Sequence, residues 1–185
     1  MEHGGATTGS FGWVIDHVAA SDCERIGVGL LAQPANTVSS LAYCVVGGWI
    51  WTRAAAAPDP RPWRLLGATS VFVGLGSAAY HGPGGQVSHL AHDGSIVLLL
   101  PAAVLAVATE RRPARPRRRL LAALGLGAGI IVHGLSRTGG PLCRPDSLVQ
   151  GHAVWHALGA AALMALAAAY LADEEAPAEL ATTSP

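Results

Sequence analysis

The stretch "GHAVWHALGAAALMALAAAYL" (Gly151–Leu171) decides how this chain is read. It has no Asp, Glu, Lys or Arg, and it opens with His152 and His156 four residues apart. At that spacing two side chains share one face of a helix. An apolar run of about 20 residues spans the roughly 30 Å of a bilayer's hydrocarbon. Ionisable groups inside such a run are costly and mark function. A membrane helix gains nothing from two imidazoles unless they bind something.

The rest of the chain is similar in character. Of its 185 residues 51% are hydrophobic and 13% charged, where a soluble domain carries about 25% charged residues. Five apolar stretches are candidate spans: Pro34–Thr52, Leu65–His81, His89–Thr109, Leu120–Ser136 and Leu148–Leu171. The predicted fold is therefore all-α, a polytopic membrane bundle of about five transmembrane helices over residues 34–171. Residues 1–33 form an extracytoplasmic segment in which Phe11–Ala20, too short to span, can lie on the surface as a helix. No removable signal peptide is recognisable. Residues 172–185 form a disordered cytoplasmic tail. Net charge is zero, which gives no footing for a nucleic-acid partner. All twelve basic residues are arginine, a composition that suggests a GC-rich bacterial genome and so an inner-membrane location.

Arginine also sets the orientation. Arg53, Arg61 and Arg64 fall between spans one and two, and "ERRPARPRRRL" (Glu110–Leu120) falls between spans three and four. Only Arg25, Arg137 and Arg144 fall on the other side. Arginine-rich loops stay cytoplasmic, so the N-terminus faces outward. Alternating spans then bring Ser77, His81, Asp93, His133, His152 and His156 to one depth near the outer face. Two histidines from one helix and one from another give three nitrogens and an open fourth position, the arrangement of a catalytic zinc. Asp93 can orient a ligand or take a proton. Each element has a plainer reading. A lone His-x-x-x-His is weak, a lone Ser bonds its own helix, and His89, His92 and His133 are interfacial or supporting residues. The set at one level is harder to dismiss.

The order of these residues, S-x-x-x-H, then D, then H-x-x-x-H, resembles the alkaline ceramidase family of the CREST superfamily, which also includes the progestin and adipoQ receptors. The segments that carry it are "NTVSSLAY" (Asn36–Tyr43), "GLGSAAYHG" (Gly74–Gly82), "HDGS" (His92–Ser95) and "HAVWHALGA" (His152–Ala160). The resemblance implies that His81, His152 and His156 hold one Zn²⁺, that Ser77 and Asp93 are catalytic, and that the amide bond of a ceramide-like N-acyl lipid is cleaved. It further implies a disulfide between Cys23 and Cys143; Cys44, within a span, reads as a packing residue.

Two departures stand out. The family has seven spans, and here one span replaces three between Asp93 and His152. That loss thins the wall of a lipid cavity and leaves room for a partner copy in a homo-oligomer. The family's acidic calcium motif reads "SDCERI" (Ser21–Ile26) here, and Gln33 stands where a glutamate is expected. Both changes argue against a Ca²⁺ site. The competing functions are hydrolysis of another acyl lipid, amide or ester; a receptor-like protein with structural zinc; a haem protein using His152 with His81 or His133; and a serine protease using Ser77, which would leave one histidine of the last span without a role.

Overall fold

The computed structural model describes residues 22–171; the proposed surface helix at Phe11–Ala20 and the tail 172–185 lie outside them. Among the described residues there are five α-helices and no strand. They are α1 (Pro34–Arg53), α2 (Pro60–His81), α3 (Gln86–Thr109), α4 (Pro116–Leu135) and α5 (Gly151–Leu171). Helices α3, α4 and α5 are long and apolar enough to cross a membrane, with mean hydropathies of 1.9, 1.3 and 1.7. Helices α1 and α2 are as long, at 20 and 22 residues. Asn36, Thr37, Ser39 and Ser40 dilute the first, and three glycines with Thr69, Ser70 and Ser77 dilute the second.

Helix α1 starts where its apolar run does, at Pro34, and the other four starts differ from the apolar boundaries by several residues. Pro34, Pro60 and Pro116 occupy the first turn of α1, α2 and α4, where a missing N–H costs nothing and φ is already helical. Asp59 caps α2 by accepting from Arg61 N at 3.0 Å. Arg61, Arg64 and Arg117 to Arg119 therefore lie on the opening turns of helices and not in the loops that hydropathy alone assigns them. They remain at the end of the bundle opposite the histidines.

The main packing pairs are α3 with α2, α2 with α1, α1 with α5, and α5 with α4. The helices thus form an open arc in the order α3, α2, α1, α5, α4. The α1–α2 seam is a close backbone contact: a Cβ placed on Gly47 would sit 2.6 Å from the Gly67 carbonyl oxygen, and one on Gly67 2.8 Å from that of Gly47. Glycine is what permits this backbone contact. The core of Ile50, Trp63, Leu66, Ala167 and Leu171 closes the arginine-rich end. There the Trp63 indole donates to Glu110 Oε2 at 3.0 Å and Arg112 to the same oxygen at 2.9 Å. Burial by itself would raise the Glu110 pKa. The hydrogen bonds from Arg112 and Trp63 outweigh it and push the carboxyl down to about 2.

Candidate metal centre

His81 is the last residue of α2, and His152 and His156 occupy the first two turns of α5. Both helices flank α1, so the arc brings their ends together. The rings of His152 and His156 lie 4.5 Å apart between centroids, with His81 at 4.9 Å and 5.4 Å from them. One nitrogen from each falls within 4.8 Å of the other two. All three are buried, at 1%, 6% and 3% exposure. A buried group of this kind can hold a metal ion.

The outer hydrogen bonds fix which nitrogen faces the centre. Gln33 Nε2 donates to the Glu24 carbonyl at 3.0 Å, so its Oε1 must be the atom facing His81 Nδ1 at 2.7 Å. An amide oxygen only accepts. His81 Nδ1 therefore carries the proton, and Nε2 has the lone pair. Ser39 Oγ gives its hydrogen to Asn36 O at 3.1 Å and so accepts from His156 Nδ1 at 2.9 Å. His152 Nδ1 faces a carboxylate oxygen, Asp22 Oδ1, at 3.4 Å. The Nδ1 atoms of His81 and His156 thus each have a hydrogen-bonded acceptor behind them, the usual backing of a metal-ligating imidazole, while His152 Nδ1 lies near the Asp22 carboxylate without a hydrogen bond. His81 Nε2 and both ring nitrogens of His152 are buried and make no hydrogen bond. Buried polar atoms are almost always satisfied. A metal would satisfy one nitrogen of each ring, and the residues fit one: three buried imidazoles from two helices, two of them hydrogen-bonded through Nδ1.

A cavity of about 740 Å³ lies inside the arc. Along α5 its wall runs from His152 to Leu166, about 21 Å at the helical rise of 1.5 Å per residue. Ser77, His92, Asp93, His133, Arg137, His152 and His156 line the metal end. Leu99, Ala103, Leu126, Leu163 and Leu166 line the stretch beyond, and Arg119 the far mouth. Ser77, 1% exposed, is one turn before His81 on α2. Asp93 is not buried with the triad. Its side chain is 60% exposed on the cavity side of α3, with Oδ1 2.8 Å from His92 Nδ1 and Oδ2 3.1 Å from His89 Nε2. Tyr80 stacks on His89 and His92 with ring separations of 5.4 and 4.8 Å, and its buried hydroxyl makes no hydrogen bond.

Asp22, His133 and His152 form a second set of donors within 4.8 Å of one another. Arg137 reaches the same place, with Nη1 3.6 Å from Asp22 Oδ1 and 3.4 Å from His133 Nε2. A guanidinium is always charged. It already supplies the positive charge that a second ion would bring.

The two acidic residues considered for calcium have other contacts. Glu24 accepts from the backbone N–H groups of Ala35 and Asn36 at 2.7 and 2.8 Å, capping α1, and Asp22 faces His152 and Arg137. Cys23 and Cys143 form a disulfide, with Cα atoms 5.6 Å apart. Cys44 is outside it and packs against α2, its Sγ 3.6 Å from Val71 O. The outer partners of the imidazoles, Gln33 and Ser39, carry no motif of their own. The available signal is the helical spacing of Asn36, Ser40 and Tyr43, which marks the polar face of α1, and the position of Gln33 just before Pro34. No family model, no curated protein and no solved structure matches this chain.

Proposed function

We propose that this chain is a zinc-dependent integral-membrane hydrolase that cleaves the amide bond of a ceramide-like N-acyl lipid. The observation that carries this reading is the convergence of three buried imidazoles, with two Nε2 atoms unpartnered, at the polar end of a long apolar cavity. A structural site would have no use for such a cavity. The resemblance of the motifs to the alkaline ceramidases supports the same reading.

Bound zinc would supply Lewis acidity, polarising a carbonyl and making water a nucleophile at neutral pH. The apolar stretch of the cavity holds the acyl chain and orients the amide carbonyl toward the histidines. Asp93 accepts the proton of the attacking water and passes it to the leaving nitrogen as the C–N bond breaks. His89 and His92 hold that carboxylate in place from either side. Ser77 donates a hydrogen bond to the carbonyl oxygen as negative charge develops on it. The products are a fatty acid and an amine.

The metal end is assigned to the outer face of a bacterial inner membrane, with the N-terminus outside. Two independent features support this: the disulfide, which persists only in an oxidising compartment, lies at the metal end, and the arginine-rich turn lies at the other. The gap between α3 and α4 admits lipid from the bilayer; a second copy across it is the other possible occupant, distinguished by cross-linking. The decisive experiment is metal analysis of the detergent-purified protein followed by mass spectrometry of products from a panel of N-acyl lipids and acyl esters. Zinc at one ion per chain with release of a free amine is expected. Tightly bound zinc without turnover of any lipid sinks the hydrolase and favours a receptor-like role.

A further inference from the structure

Residues 22–33 contain no helix that spans, yet they hydrogen-bond one of the three imidazoles and place a carboxylate beside a second. Gln33 is 1% exposed and sits between His81 and the Glu24 carbonyl. Asp22 is 5% exposed and faces His152 Nδ1. The segment is fastened to the α4–α5 loop at several points. Cys23 is bonded to Cys143, and its N–H donates to Thr138 Oγ1 at 3.1 Å. Arg25 N donates to Pro145 O at 3.0 Å, and the Arg25 guanidinium meets both oxygens of Asp146 at 2.5 and 2.8 Å. That ion pair is fully exposed, and exposed pairs contribute little. The covalent bond is the main clasp. Cys23 has a φ of +69°, a left-handed conformation that side chains other than glycine rarely adopt. The turn it makes lets Asp22 aim inward while the neighbouring sulfur reaches Cys143.

We infer that this strap is a working part of the metal centre: Gln33 and Asp22 are positioning residues that hold His81 and His152 with Nε2 inward, and the Cys23–Cys143 bond keeps them there. The inference rests on the metal reading above but not on the substrate. It assigns Asp22 to His152 and not to a second ion, because Arg137 already occupies that side of the carboxylate. It also gives Gln33 a task that needs no calcium, since a neutral amide fixed by Glu24 O is sufficient to orient an imidazole.

The test is zinc affinity of the full chain in detergent, measured by competition with a chelator, with the absorption spectrum of the Co²⁺ form as a second readout. Loss of such an outer partner typically weakens metal binding by 10–100-fold. Gln33→Leu and Asp22→Asn should each fall in that range and shift the Co²⁺ bands. Gln33→Glu keeps the acceptor toward His81 but loses the donor to Glu24 O, so it should bind zinc more tightly than Gln33→Leu and less tightly than the native protein. Reducing the disulfide in the folded native protein needs no variant to fold, and it should weaken binding comparably. Native affinity in Gln33→Leu and Asp22→Asn, or in the reduced protein, overturns the proposal. So do two ions per native chain falling to one in Asp22→Asn, which would make Asp22 a ligand. A native chain that binds no metal removes the metal reading itself, an outcome the first titration separates from all the others.

Discussion

The unpartnered nitrogens make a quantitative prediction about stability. The Nε2 atoms of His81 and His152 are buried without a hydrogen bond, and each such atom costs about 1–3 kcal/mol. The metal-free protein therefore carries a penalty of roughly 2–6 kcal/mol that an ion would remove. By mass action, free zinc at a hundred times its dissociation constant stabilises the folded state by about 2.7 kcal/mol. For a chain of this size 1 kcal/mol moves Tm by about 2–4 °C, so zinc should raise it by roughly 5–11 °C. His81→Leu removes one ligand but leaves Gln33 Oε1 without its donor, so two penalties of similar size exchange. Its metal-free Tm should lie near that of the native protein, while the response to zinc disappears. The assay is thermal unfolding in detergent after chelation, across a zinc titration. An unchanged native Tm with zinc, or an equal rise in His81→Leu, would falsify the three-histidine centre.

Removing the proposed chemistry should leave the metal in place. Asp93→Asn should lower turnover by about 10²–10⁴-fold and Ser77→Ala by about 10²–10³-fold, both with zinc content unchanged; loss of zinc in either would make the residue a ligand. Tyr80→Phe deletes a buried hydroxyl that has no partner, so stability should hold or rise; a fall in Tm would show that the hydroxyl is bonded in the protein. Gly47→Val forces a side chain against the Gly67 carbonyl and should cost about 1–3 kcal/mol by overpacking, read as a lower Tm; no change would mean that the α1–α2 seam is looser than described. Because the Glu110 carboxyl is held at about 2 against an ordinary 4.5, its contribution is full above pH 4.5 and is lost as pH falls toward 2. Glu110→Gln should flatten that acid limb of the stability curve, and an unaltered limb would deny the contact with Arg112 and Trp63.

The helices were legible because hydropathy and length are properties of a single segment. The starts at Pro60 and Pro116 were not, since both prolines begin helices while lying before the apolar runs; the start of the first helix at Pro34 coincides with its run. The meeting of His81 with His152 and His156 could be anticipated from topology, because alternating spans return every second helix end to the same face. The same depth rule placed Asp93 with them, and it does line that end of the cavity. Depth says nothing about rotation around a helix axis, however, and Asp93 turns out to be paired with His89 and His92 on its own helix. The outer partners were hidden for another reason. Gln33 and Asp22 act through acceptor atoms that almost any polar residue offers, so only coordinates show which imidazole each one backs.

The division of the site between helices has a consequence for how its parts would fail. The histidines come from α2 and α5, the two helices that pack directly on α1. Asp93 comes from α3, which packs chiefly on α2. The half of the arc that carries the histidines therefore packs on more than one neighbour, and the half that carries Asp93 chiefly on one. The stretch between Asp93 and His152 is also where α3 and α4 leave a gap in the arc. Thinner detergent or a mismatched bilayer should then displace Asp93 before it disturbs the imidazoles. Turnover should decline with lipid environment while zinc content stays constant; a parallel loss of both would show that the two halves of the arc move as one.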